Sequence, residues 1–337
     1  DKSDKWKSLV MFSPAATLSL LVGLWDQYDS GRILSFEVLK AYPSPLPGFE
    51  TPEALVPFAR WALASVSSAR MRDADSGSLA LRLLSSTYIV RAGWELRMSL
   101  EPIEGGNLKR ANIQALPPSA ASDSKPPSSS ISRIVTFCND ILDIVMVHVS
   151  ETHRDRQFAA MHYPVHGPLM AVRYIINDVN LSSLDDASKD LWRGLVVRMM
   201  SVAKTVSALA LELKYPLRYT HNAAGEVDHS TDHANGDGDD DDNDEVAQLV
   251  VPEKQEEAKH DSKDGKAKTA TSASKEEKSE SNSTTEGVLV AMWLSLKEVS
   301  FLLGCLVKST ITAAATETSR LSSAYSSLLL TFMAQEE

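Results

Sequence analysis

The sequence predicts an all-α fold, on three observations. Aromatic residues make up only 7% of the 337 residues, and Leu, Ala, Ser and Val dominate the apolar stretches, which favours helices over a β sandwich or barrel. Apolar residues recur at spacings of three and four in successive segments, and no period-two alternation is long enough to build a sheet. Helical segments with wide apolar surfaces follow one another through short turns, which suits stacked helix pairs more than a compact bundle. The reading is an α-solenoid of HEAT/armadillo-like helical repeats, interrupted by disordered loops.

Each element has its own justification. "PAATLSLLVGLWDQYD" starts at Pro14, a residue suited to a first helical turn, and "GRILSFEVLKAY" follows before the Pro43–Gly48 breaker. Thr51, Pro52 and Glu53 supply a cap, a first-turn proline and a first-turn carboxylate for a helix running through Trp61 to about Ser68. Asp75 and Ser76 can cap "LALRLLSSTYIVRAGWELRM", which ends at Met98. Ile134, Phe137, Ile141, Ile144 and Val145 give the next helix one buried face. His166-Gly167-Pro168 breaks the chain before "LMAVRYIINDV". The longest helix starts near Asp185 and lines up Leu191, Leu195, Met199, Val202, Val206, Leu209 and Leu213. Two more helices are predicted, from Gly287 to Lys308 and from Ala313 to about Met333.

The net charge of −11 is concentrated in one place. Residues 221–286 hold 19 acidic residues against 7 lysines, a local balance of −12, and no Trp, Phe or Tyr. Such a segment cannot bury enough apolar surface to offset its ordering entropy, so it is predicted to be a disordered acidic loop. Paired prolines and serines in "ALPPSAASDSKPPSSS" mark a linker. The resulting plan is a helical-repeat segment over 1–100, a Pro/Ser-rich linker over 101–130, a second helical-repeat segment over 131–220, the acidic loop over 221–286 and a third helical-repeat segment over 287–337. The chain opens at Asp1 without a methionine and reads as an internal piece of something longer.

Signals of enzymatic chemistry are weak or missing. The sequence has no Gly-rich dinucleotide fingerprint after a strand, no Walker loop and no Gly-x-Ser-x-Gly elbow, so no nucleotide or S-adenosylmethionine cradle is expected. His162 and His166 sit four apart with Pro164 between them and no third ligand nearby, so capping or packing is favoured over metal binding. The stretch from His233 to Asp244 approaches a calcium loop, but His233 stands where the first carboxylate belongs, and solvated low complexity is the better reading. Cys138 and Cys305 lack metal-type spacing and fit buried thiols in a reducing compartment.

One helix poses a puzzle. "MWLSLKEVSFLLG" is highly apolar, yet Lys297 and Glu298 stand side by side at its centre. Each would cost about 2.5–3.5 kcal/mol at the middle of a bilayer, so no membrane span is expected. Helical spacing gives one core stripe through Leu289, Met292, Leu296, Val299, Leu303 and Leu306, and a narrow polar ridge through Trp293, Lys297, Ser300, Gly304 and Lys308. Two readings stay open for the charges: ion pairs tying adjacent helices together, or a ridge facing a partner.

The stretch "VLVAMWLSLKEVSFLLG" resembles the signature helix of the thyroid adenoma-associated protein family. "YPSPLPGFETPEALVPFARWAL", "SSARMRDADSGSLALRLLSSTYIVRAGW" and "YPVHGPLMAVRYII" look like the same family in the same order. The resemblance implies a very long helical-repeat chain, cytoplasmic, acting as a non-catalytic scaffold or regulatory subunit without a cofactor of its own. Its partners would be a separate S-adenosylmethionine-dependent methyltransferase and tRNA, in 2′-O-ribose methylation of the anticodon loop. The alternative is a general protein–protein adaptor that does not act on RNA. Carried over by position, the signature gives Trp293, Ser295, Lys297, Glu298 and Gly304, with Ser300 beside them on the ridge, as candidate partner-binding residues. Leu294 departs from the family pattern, which often has an arginine there, and the family's later Arg-Arg-Ser-Ala-Gly-Ile-Pro motif does not occur in the sequence.

Overall fold

The computed structural model of the chain describes residues 12–103, 108–118, 129–181, 184–214 and 286–311. Helix α1 (Pro14–Gly23) starts where Ser13 Oγ accepts from the Ala16 amide, and α2 (Asp29–Ala41) carries Asp29 in its first turn. Helix α3 (Pro52–Val66) has the predicted start, with Thr51 Oγ1 accepting from Ala54 N. Helix α4 (Met71–Leu84) begins ahead of the predicted caps, so Asp75 and Ser76 lie inside it. Ser76 Oγ donates to Arg72 O instead, and Asp75 reaches sideways to another helix.

The prediction of one helix through Met98 is corrected by the structure. A π-helical turn, Ser85–Arg91, ends the helical stretch. Gly93 then adopts φ +75, a left-handed conformation that glycine takes without Cβ strain, and Trp94 N donates to Tyr88 O. Strand β1 (Glu95–Pro102) pairs antiparallel with β2 (Lys109–Leu116), placing Met98 opposite Ile113 and Leu96 opposite Ala115, all four buried. A two-stranded sheet therefore interrupts the expected all-α fold, and β2 occupies part of the stretch read as a linker over 101–130. Leu96, Met98 and Leu100 alternate with Glu95, Arg97, Ser99 and Glu101 at period two, a strand pattern that the helical reading passed over, and a tertiary contact anchors it. Asp140 accepts from Arg97 Nε at 2.8 Å, Arg97 Nη2 at 3.1 Å and the Met98 amide at 2.9 Å, which docks the hairpin.

Asp140 belongs to α5 (Ser130–Arg154), whose predicted face, Ile134, Phe137, Ile141, Ile144 and Val145, is buried throughout. Asp155 then caps a short helix the sequence reading missed, α6 (Arg156–His162), its Oδ1 accepting from Gln157 N and Phe158 N. Helix α7 (His166–Asn177) begins at the expected break. Pro168 sits in its first turn, where its missing N–H costs no helical hydrogen bond. Helix α8 (Asp186–Lys214) buries Leu195, Met199, Val202, Val206 and Leu209 as predicted, whereas Leu191 is exposed. Helix α9 (Glu286–Ile311) closes the described chain. The acidic loop up to residue 285 and the helix predicted from Ala313 lie outside the described residues.

The described residues are thus mostly helical, with one small hairpin, an architecture compatible with helical repeats. Helix α4 packs against α3 and α7, while α5 packs against α7, α8 and β1, and their buried side chains join in one hydrophobic cluster. Helices α8 and α9 are long and apolar enough to cross a membrane by length and composition, yet each contributes several residues to that cluster. Cys138 is fully buried, with its thiol pushed up to about 12, and Cys305 is half-buried. Both are free.

Two buried histidines make the core sensitive to acid. His148 Nδ1 lies 2.9 Å from Pro164 O, and its Nε2 has no partner among the described residues; both ring nitrogens of the buried His166 are likewise unpartnered. Desolvation pushes both imidazoles down to about 4 from an ordinary 6.5. The fold therefore favours the neutral rings. Their contribution is complete above about 6.5 and is lost as pH falls toward about 4, by up to about 3 kcal/mol per ring. The urea midpoint should drop over that window, and His166→Leu should shrink the drop; an equal drop in the variant would rule His166 out as a source.

Candidate functional site

Helix α9 can be read outward from its core. Its inner face is Ala291, Met292, Leu294, Ser295, Glu298, Val299, Leu302 and Leu306, all buried. Leu289, predicted in the core stripe, is exposed, and Leu294, outside that stripe, is buried. The buried arc is rotated from the predicted stripe because α9 meets its neighbour through a polar contact. Ser295 Oγ, within that arc, donates to Ala291 O at 2.7 Å and so has its hydrogen bond inside the helix.

That polar contact separates the two central charges. Glu298 is fully buried, and its Oε2 accepts from Arg173 Nε of α7 at 3.0 Å. Burial raises the Glu298 carboxyl above the usual carboxylate range, and Arg173 opposes that shift. Its Oε1 is buried without a hydrogen-bond partner among the described residues. Beside it, Arg173 stacks over Tyr174, whose OH donates to Asp75 Oδ1 at 2.7 Å, while Asp75 Oδ2 accepts from Arg32 Nε at 2.9 Å. A ladder of charged and polar groups thus ties α9 to α7, α7 to α4, and α4 to α2. Parallel to it, Arg82 of α4 makes a two-pronged contact with Asp178 at 2.8 and 2.6 Å. The sequence reading missed Arg173 and Arg32 and took Asp75 for a helix cap; the available signal was a lone Arg in the apolar run "LMAVRYII", the counterpart of Glu298 in its own apolar run.

Lys297 points the other way. Its Nζ lies 5.3 Å from the Trp293 ring centroid and 5.7 Å from that of Phe301, both exposed, at 61% and 48%. No ion pair to Lys297 occurs among the described residues. Ser300 is exposed and donates to Leu296 O, and a Cβ added at the exposed Gly304 would meet nothing within 4 Å. Of the six candidate residues, the structure therefore brings Trp293, Lys297, Ser300 and Gly304 together on an open ridge, and places Ser295 and Glu298 in the interior.

A groove of about 780 Å³ runs along the start of α9, lined by Phe158, Met161 and His162 of α6 and by Val290 and Leu294. His162 ends α6 and His166 begins α7, so the two imidazoles do not share a helix.

A family model described as THADA/TRM732, DUF2428 matches residues 194–335, from within α8 across the whole of α9. The signature stretch read from sequence falls inside this range; the three upstream stretches fall before it. No curated protein and no solved structure matches the chain significantly. The match encloses the helix that carries Trp293, Lys297 and Glu298, so this part of the chain is THADA-like.

Proposed function

We propose that this chain is part of a non-catalytic, cytoplasmic scaffold, a solenoid of stacked helical repeats, which partners a separate S-adenosylmethionine-dependent methyltransferase in 2′-O-ribose methylation of the tRNA anticodon loop. The family match over residues 194–335 carries the reading, because its description points to a tRNA methylation-related role. The helical build supports it, since a rigid array can hold enzyme and RNA in fixed relation and lower the entropic cost of reaching a structured ribose. The test is methylation of anticodon stem-loop RNA by the cognate methyltransferase with and without this chain. The expected result is stimulation of the enzyme and no turnover by the chain alone; turnover by the chain alone would refute the reading.

A general adaptor is the second reading. Leu18, Val22, Ile33 and Leu34 leave the outer side of α1 and α2 apolar and more than half exposed, as a protein-docking face would be. Absence of any stimulation, with retained binding to the enzyme, would favour it.

A further inference from the structure

We infer that Trp293, Lys297 and Phe301 form a platform for unpaired RNA nucleotides, a base stacking on the Trp293 indole and its phosphate held by Lys297 Nζ. The inference rests on the tRNA reading above and assigns one surface within it. The backbone rises about 12 Å from Trp293 to Phe301, and the Lys297 ammonium lies between the two rings, within 5.7 Å of each centroid.

Charge decides which partner this ridge fits. Within residues 287–311 the charged side chains are Lys297, Lys308 and Glu298, and Glu298 is buried against Arg173. Glu286, about two turns before Trp293 at the start of α9, is exposed and negative, so the solvent-facing charge of the helix is positive from Lys297 onward. An apolar protein helix laid across the ridge would cover the Lys297 ammonium and offer it no counter-charge. A nucleotide supplies an aromatic face and an anion together, and every base has such a face. Ser300 and Gly304 leave the ridge low beyond Lys297, so a strand meets no bulky side chain there. Arg173 stacks on Phe301 at 5.3 Å and keeps that ring in place from the inner side.

The experiment uses the whole chain and a fluorescein-labelled single-stranded oligouridylate, read by anisotropy, with an RNA duplex of equal charge as the comparison. The expected result is a preference for the single strand. Trp293→Ala should weaken it roughly tenfold and Trp293→Phe should retain most of it. Lys297→Ala should lower the salt dependence of binding by about one unit of slope. Thermal unfolding of each variant checks the fold, which substitution of the exposed Trp293 and the half-buried Lys297 should leave unchanged. Equal binding of single strand and duplex, or undiminished binding by Trp293→Ala, overturns the platform. If Trp293→Ala instead loses the methyltransferase in a pull-down and keeps RNA, the ridge is a protein contact: the platform fails and the scaffold stands. Conversely, RNA binding that depends on Trp293 without any stimulation of methylation keeps the platform and removes the scaffold.

Discussion

Replacing Gly167 by alanine should destabilise the chain severely, by at least about 3 kcal/mol, beyond the usual range for an extra core methylene. A Cβ built there falls 1.9 Å from Val66 O, 3.0 Å from Val66 C and 3.1 Å from the Ala74 Cβ. Gly77, across the same junction, would place its Cβ 2.3 Å from Val66 N and 2.7 Å from Ala62 O. These are backbone atoms at the C-terminal end of α3, so no rotamer change relieves the clash and whole helices must separate. Ser78 Oγ, 2.7 Å from Ala74 O and 3.2 Å from Gly167 O, bridges α4 and α7 at the same point and would be pulled apart with them. Gly304→Ala provides the opposite sign: with nothing within 4 Å of its Cβ and a helical backbone, it should gain up to about 1 kcal/mol. Urea unfolding of the two variants measures both. A Gly167→Ala midpoint near that of wild type would mean that α3, α4 and α7 do not cross this closely.

That junction also shows where sequence reading stops. Gly167 was read as part of a chain break, and it does mark a helix start; its reason for being glycine lies in Val66, which is about a hundred residues away in sequence. Local signals worked where the cause was local. Thr51-Pro52-Glu53 fixed the start of α3, and the spacing of Ile134 to Val145 fixed the buried face of α5. At Glu95–Pro102 a short period-two alternation was absorbed into the preceding helix, and the strand is held in place by the distant Asp140 carboxylate. At the candidate site the ridge through Trp293, Lys297, Ser300 and Gly304 was legible because a helix fixes which residues share a face. The fate of Glu298 was not, because helical spacing cannot say that Arg173 stands opposite; the adjacent charges diverge, one to the interior and one to the ridge.

Removing Arg173 should cost more than removing Glu298, and removing both should cost less than removing Arg173 alone. In Arg173→Met the fully buried Glu298 loses the cation that offsets its desolvation, a loss of about 3–5 kcal/mol for one half of a buried pair. In Glu298→Leu the guanidinium is 20% exposed and still stacks over Tyr174 and Phe301, so it keeps part of its hydration and the cost is about 1–3 kcal/mol. The double variant replaces the pair by apolar groups and should recover most of the Arg173→Met loss. Acid separates this account from a packing defect. Burial already holds the Glu298 carboxyl above its usual range, and without Arg173 it rises further. A carboxyl whose folded pKa lies above its unfolded one stabilises the fold below the unfolded value, and that contribution is lost as pH rises. The deficit of Arg173→Met relative to wild type should therefore shrink from neutral toward mildly acidic pH, as the orphaned carboxyl takes up a proton. Urea midpoints of both proteins at the two pH values give the difference directly, and the histidine contribution, common to both, cancels. A deficit independent of pH would show that α9 is held to α7 by packing, with the ion pair incidental.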